Sequence, residues 1–291
     1  MERELWLLLY RMVIVLDKPA WQYRGRYPCS LIVAVYLWAV LHDRPTCWAC
    51  AARNWDPLIR PRPLPSQSVL SRRLRHAQTQ ALRKELLARL CRNNVPNCCK
   101  VIDGKPLTVS RYSKDRDAGW GYAVAGKARG YKLCMIIGDG PMPVAFHVDS
   151  LAVSEQQMAE RHLLPALTDN GFLLGDSMYD INKLYDLAAA HNHQLLAPRK
   201  RPQAGLGKRK HSVYRLLSLL MLRTEPGKQL YAKRTRIERV FAQLTNLCCG
   251  LAPLPNWVRR LHRVRSWVEA KLIILGAYCT FQRTPSPIAV A

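Results

Sequence analysis

The feature of this chain that most restricts its fold is a change of period near residue 98. Upstream, apolar residues recur at helical spacing. Downstream, short apolar runs alternate with turn signals and helical stretches. CCKVIDGKPLTV (98–109) reads as a strand, followed by GYKLCMIIG (130–138) and MPVAFHV (142–148) with the turn GDGP between them. SEQQMAERHLLPALTDN (154–170) reads as a helix, with Ser154 as N-cap and Gly171 closing it. GFLLGD, DINKLYDLAAAHN and HQLLAPR then read as strand, helix and strand. A loop rich in Lys, Arg and Gly is expected from about Lys200 to Lys228, and after it a helix over YAKRTRIERVFAQL. Three strands joined by short turns make an antiparallel meander, and strands joined through helices make parallel crossovers. The expectation is an α/β domain over 97–247 with a mixed sheet flanked by helices. An all-helical region (1–96) precedes it and a helical tail (248–291) follows.

The charge narrows the partner. In 291 residues, 45 Lys and Arg stand against 20 Asp and Glu, a formal net charge of +25. Solubility does not need that much charge of one sign, and self-repulsion opposes compaction, so a polyanion is the expected partner. A membrane is not expected. CSLIVAVYLWAVLH (29–42) is shorter than the roughly 20 residues a span needs. The apolar N-terminal stretch carries Glu2, Glu4 and Arg11 and lacks a small-residue cleavage site, unlike an export signal. Ten cysteines include one CxxC (Cys47, Cys50), but no second pair at zinc spacing. They read as small buried hydrophobes of a reduced, cytosolic chain.

In the N-terminal region, Ser66 follows a proline-rich bend and is placed to cap the next helix. That helix directs Val69, Leu70 and Leu74 inward and Arg72 and Arg73 outward by its period. Two readings are open: a DNA-reading helix in a helix-turn-helix arrangement, or a solvated basic face.

Three acids stand out. Asp103 lies in an apolar strand, Asp176 where an apolar run ends in a turn, and Glu238 on the late helix. On that helix Tyr231, Arg234 and Glu238 are spaced i, i+3 and i+7, one face, with Ile237, Val240, Phe241 and Leu244 opposite. Acids at strand ends plus one on a later helix supply the hard oxygen ligands that Mg²⁺ prefers in phosphoryl transfer. Asp115, Asp117, Asp139 and Asp149 read as turn acids. Arg234 has two open roles, a phosphate contact or an i, i+4 partner of Glu238. Tyr231 is open between packing and DNA positioning, and Lys105 between phosphate contact and a solvated strand end.

The chain resembles DDE transposases of bacterial insertion sequences, with the element order of a ribonuclease-H-like fold. The family's Y-x2-R-x3-E-x6-K helix motif is met by Tyr231, Arg234 and Glu238, while Thr245 stands at the lysine position. GDSMYD is similar to the family's D-x2-Y turn, with Tyr179 as its aromatic, and VIDGKP to its first-acid strand. The resemblance covers about 98–280. It implies Asp103, Asp176 and Glu238 as catalytic metal ligands for two Mg²⁺ or Mn²⁺ ions. It implies Tyr231, Arg234 and Lys105 near the cut DNA, and Arg72 and Arg73 on the terminal inverted repeats. Partners would be double-stranded DNA, both element ends and target, bound by a homodimer in the bacterial nucleoid. Two other functions share these features: a copy that binds DNA without recombining it, and a ribonuclease-H-like nuclease without strand transfer.

Overall fold

The computed structural model describes residues 2–17, 26–92, 98–206, 210–246, 250–251 and 253–283. The chain divides into two compact units. One comprises Met1–Asn93, Leu244–Leu251 and His262–Ala291, the other Asn94–Gln243 and Ala252–Leu261.

The first unit is helical: α1 (Glu2–Leu16), α2 (Cys29–Leu41), α3 (Thr46–Ala49), α4 (Gln67–Arg73), α5 (Ala77–Arg92) and most of a late helix, Leu261–Arg283. All thirteen residues of α2 are buried, which accounts for its lack of a polar face. Trp38 stacks on Trp55 (4.6 Å between centroids) and meets Trp6 edge-on (5.2 Å). Among the described residues, no helix is long and apolar enough to cross a membrane. Ser66 caps α4 by accepting from the Val69 amide, as its sequence predicts. Arg73 is a correction. It lies three residues after Leu70, on the same side of the helix, and both are buried. Its guanidinium donates to Cys29 Sγ (3.5 Å) rather than facing solvent. Arg72 is exposed.

The second unit is built on a six-stranded mixed sheet. Its strands are β1 (Cys99–Thr108), β2 (Gly119–Ala123), β3 (Gly126–Ile137), β4 (Pro143–Ser150), β5 (Gly171–Leu174) and β6 (His193–Leu196). The order is β2-β3-β1-β5-β6, with β4 also on β3. β1 and β4 are antiparallel to β3, while β5 runs parallel to both β1 and β6. This is a ribonuclease-H-like arrangement, as the element order implies. Its core joins Ile102, Ile136, Leu173 and Leu195 of the sheet to Met158, Leu163, Leu184 and Tyr185 of the covering helices.

Four local expectations change. β2 is an additional strand, paired with the first part of β3. Its exposed Trp120 and Tyr122 and its glycines gave no core-facing period. The helix after Ser154 is α-helical only as α6 (Glu155–Met158), then passes through a π turn (Ala159–Leu163) and a 3-10 turn (Leu164–Ala166) containing Pro165. Gly171 opens β5 instead of closing that helix. Its φ of +139° lies where side chains are rarely tolerated, and a Cβ there would meet the Cys98 carbonyl oxygen at 2.1 Å. After α7 (Asn182–Ala190) and β6, the expected basic loop ends near residue 212. α8 (Val213–Met221) and α9 (Glu225–Ala232) occupy its second half. Ser212 and Arg215 bind Asp186 and Asp180, and buried Ser218 receives the Ala197 amide. Val213, Leu216, Leu217 and Leu220 face outward. The polar side of α8 therefore packs inward, inverting the usual pattern that sequence periodicity assumes.

Candidate active site

β1 supplies the first acid and the end of β5 the second. The parallel register pairs Val101 with Leu174, the last pair of that ladder. Asp103 and Asp176 each lie two residues further along, so adjacent strands about 4.8 Å apart deliver both acids to the same end of the sheet. Asp176 is fixed locally: its Oδ1 accepts from the Met178 amide at 2.8 Å and caps the 3-10 turn Ser177–Tyr179. Asp103 Oδ1 accepts from the Gly104 amide at 2.8 Å.

The third acid arrives on α10 (Arg236–Asn246), whose Ile237, Val240, Phe241 and Leu244 are buried as their spacing predicts. Tyr231, Arg234 and Glu238 do not share one continuous helix, however. Tyr231 is in the last turn of α9, Arg234 lies in a 3-10 turn (Lys233–Thr235), and Glu238 is in the first turn of α10. The Arg234 guanidinium bridges two acids, with Nη1 3.7 Å from Asp103 Oδ2 and Nη2 3.4 Å from Glu238 Oε1. Tyr231 donates to the carbonyl of Gly175, the residue before Asp176, at 3.1 Å. The Lys105 ammonium lies over the Phe241 ring, 5.7 Å from its centroid. Burial lowers the Lys105 pKa.

Burial is also the main influence on Asp103, raising its carboxyl from 3.8 to about 6. Glu155 and Asp176 push the same way, against the Gly104 amide and Arg234. Glu155 is a member of this neighbourhood that sequence reasoning missed. It opens α6, and its carboxylate lies against Gly104, where a Cβ would stand 2.5 Å from its Cδ. The available signal was the glycine directly after Asp103. Asp180, by contrast, is engaged elsewhere. Burial opposes its charge, but bidentate pairing with Arg215 (2.6 and 2.8 Å) and the Lys200 amide hold it below the usual carboxylate range. Arg199, Lys200 and Arg201 line a pocket beside it.

Among the described residues, no three His, Cys, Asp or Glu side chains are grouped as a ready metal cage. The donors at this end of the sheet are nonetheless all carboxylate oxygens, the set a hard divalent cation takes. Glu155 and Asp176 add to the effect of burial on Asp103, so carboxylates stand close enough at this end of the sheet to influence one another. The acids therefore fit such an ion by their chemistry.

A ribonuclease-H-like sheet with acids on adjacent strands, and another on the helix after the sheet, defines a class of nucleic-acid phosphoryl-transfer folds. Residues 96–275 match the family model described as Transposase DDE domain, and the chain belongs to that family. No curated protein matches the chain.

Proposed function

We propose that this chain is the transposase of an insertion sequence, cutting DNA at the element's ends and joining the freed 3′ ends to target DNA. Asp103, Asp176 and Glu238 are its catalytic carboxylates and would hold two Mg²⁺ or Mn²⁺ ions. One observation carries the assignment: the β1–β5 register brings Asp103 and Asp176 to one end of the sheet, and Arg234 links Asp103 to Glu238. When bound, such ions polarise the phosphoryl oxygen and lower the pKa of the attacking water or hydroxyl.

The protein's own groups do the positioning. Tyr231, bonded to the Gly175 carbonyl, braces the backbone that carries Asp176. Arg234 presents a planar guanidinium suited to a phosphate next to the cut. Lys105, with its stem beside Phe241, adds a cation on the same strand as Asp103. Exposed Arg72 contributes to holding the terminal repeats, and a homodimer on DNA would bring two ends together.

The test is incubation of an end-bearing duplex with Mg²⁺ and a target plasmid. Cleavage with a joined product is expected. Cleavage without joining would favour a simple nuclease, and binding without cleavage a DNA-binding protein that has lost recombination.

A further inference from the structure

Asp103 and Gly104 point to opposite faces of β1. On Gly104's face, the Glu155 carboxylate atoms lie 2.5 to 2.9 Å from where a Cβ would stand. Any larger residue at 104 would push Glu155 away from Asp103's neighbourhood. Glu155 is held there from both ends. Ser154 and Gln157 form a capping box around the start of its helix. Its Oε2 accepts from the hydroxyl of fully buried Tyr179 at 3.3 Å, and its Oε1 lies 3.3 Å from Lys132 Nζ on β3. The next residue, Gln156, donates to the Met178 carbonyl at 2.6 Å. Glu155 and its neighbour thus touch the strand that carries Asp103, the strand beside it, and the turn that Asp176 caps.

We propose that Glu155 is a positioning residue for this site, fixing the Asp103 strand against the Asp176 turn and strengthening, through its charge, the hold of those acids on divalent cations. The inference rests on the reading of Asp103 and Asp176 as cation ligands. A structural ion pair with Lys132 would need neither the bare backbone at Gly104 nor a second carboxylate across the strand from Asp103, where like charges repel. Lys132 tempers that repulsion, so it acts on the site in the opposite sense to Glu155.

The experiment measures Mn²⁺ binding to the full chain without DNA, from the electron paramagnetic resonance signal of free ion. The Mg²⁺ dependence of end cleavage is measured in parallel. Glu155→Gln keeps the shape and an acceptor for Tyr179 but removes the charge. Its Mn²⁺ affinity is expected to fall roughly tenfold, the scale of groups that support metal ligands from behind. The Mg²⁺ needed for half-maximal cleavage should rise with it. Glu155→Asp, which keeps the charge, should restore most of the affinity, and Lys132→Gln should tighten binding. Unchanged Mn²⁺ affinity in both Glu155→Gln and Lys132→Gln overturns the proposal, even if melting temperatures fall. If Glu155→Gln does not fold, unchanged affinity in Lys132→Gln overturns it alone. Asp103→Asn separates the two levels. Wild-type Mn²⁺ binding in that variant removes the reading of Asp103 as a ligand, and this inference with it. Lost binding there, with affinity unchanged in both Glu155→Gln and Lys132→Gln, removes only the role of Glu155.

Discussion

Replacing Asp103 by Asn should make the metal-free protein more stable while abolishing cleavage. The side chain is one-fifth exposed, and burial foremost raises its carboxyl to about 6. An unfolded chain titrates Asp near 3.9. The folded value lies above the unfolded one, so the folded state keeps its proton longer. The cost of charging Asp103 therefore grows as pH rises through this interval and is fully present at pH 7.5. The interval corresponds to on the order of 3 kcal/mol, which solvent access reduces to roughly 1–2. Asn removes that cost but also loses the contact with Arg234, already counted among the influences that lower the Asp103 value. The assay is thermal unfolding in EDTA. At pH 7.5 Asp103→Asn should melt several degrees higher, at roughly 2–4 °C per kcal/mol for a unit of this size. The advantage should shrink as pH falls through this interval and vanish near pH 3, where the wild-type carboxyl is protonated in both states. A variant that melts lower at pH 7.5, or whose advantage does not change with pH, refutes the electrostatic account of the site.

Glu238→Gln should bind element ends as wild type does in a gel-shift assay, yet neither cleave nor join them in Mg²⁺ or Mn²⁺. Robust cleavage would take Glu238 out of the site. Arg234→Ala removes the cation between Asp103 and Glu238 and a phosphate contact, so it should weaken DNA positioning while leaving some metal-dependent cleavage. Asp115 is buried and accepts from Tyr131 Oη (2.6 Å) and the Arg260 amide (2.9 Å). Burial alone would raise its carboxyl, but these donors hold it below the usual range. A depressed folded value stabilises above the unfolded value near 3.9 and is lost as pH falls below it. Asp115→Asn should thus lower stability at neutral pH, and the gap in urea unfolding should close in acid. Arg72→Ala should flatten the salt dependence of binding to element ends, since fewer counterions are released. An unchanged slope would place repeat reading on another surface.

How much the sequence disclosed depended on whether a residue's partner is near in the chain. Ser66, Ser154 and the apolar side of α10 were legible because each acts within one helical turn. Asp103 and Asp176 were legible as interrupted apolar runs, and their adjacency follows from the strand order. Arg73 was not legible, because its partner Cys29 is 44 residues away and a buried arginine has the same local pattern as an exposed one. Asp115, read as a turn acid, is one, yet it also receives the Arg260 amide from 145 residues on. α8 defeated periodicity for a different reason. Arg215 and Ser218 face inward to meet Asp180 and the Ala197 amide, so polar partners rather than apolar area decide its orientation.

The motif Y-x2-R-x3-E gains its meaning from the break that the sequence did not reveal. On one unbroken helix, the three side chains would form a single row with Arg234 beside Glu238, and the pair would read as surface charge. Such an exposed pair contributes little. The 3-10 turn at Lys233–Thr235 instead separates α9 from α10. Tyr231 then reaches the Gly175 carbonyl while Arg234 still reaches both Asp103 and Glu238. Of the two roles left open for Arg234, the i, i+4 pairing with Glu238 is present, and a contact with Asp103 that the sequence did not suggest is added to it. A guanidinium spanning two carboxylates also occupies the space between them that a cation shared by those acids would need. A divalent ion held by those acids would compete with Arg234 for their charge and would leave the guanidinium to a phosphate. Arg234→Ala should accordingly tighten Mn²⁺ binding in the absence of DNA, although it impairs DNA positioning. If Mn²⁺ affinity falls in that variant, Arg234 supports the carboxylates instead of competing for them.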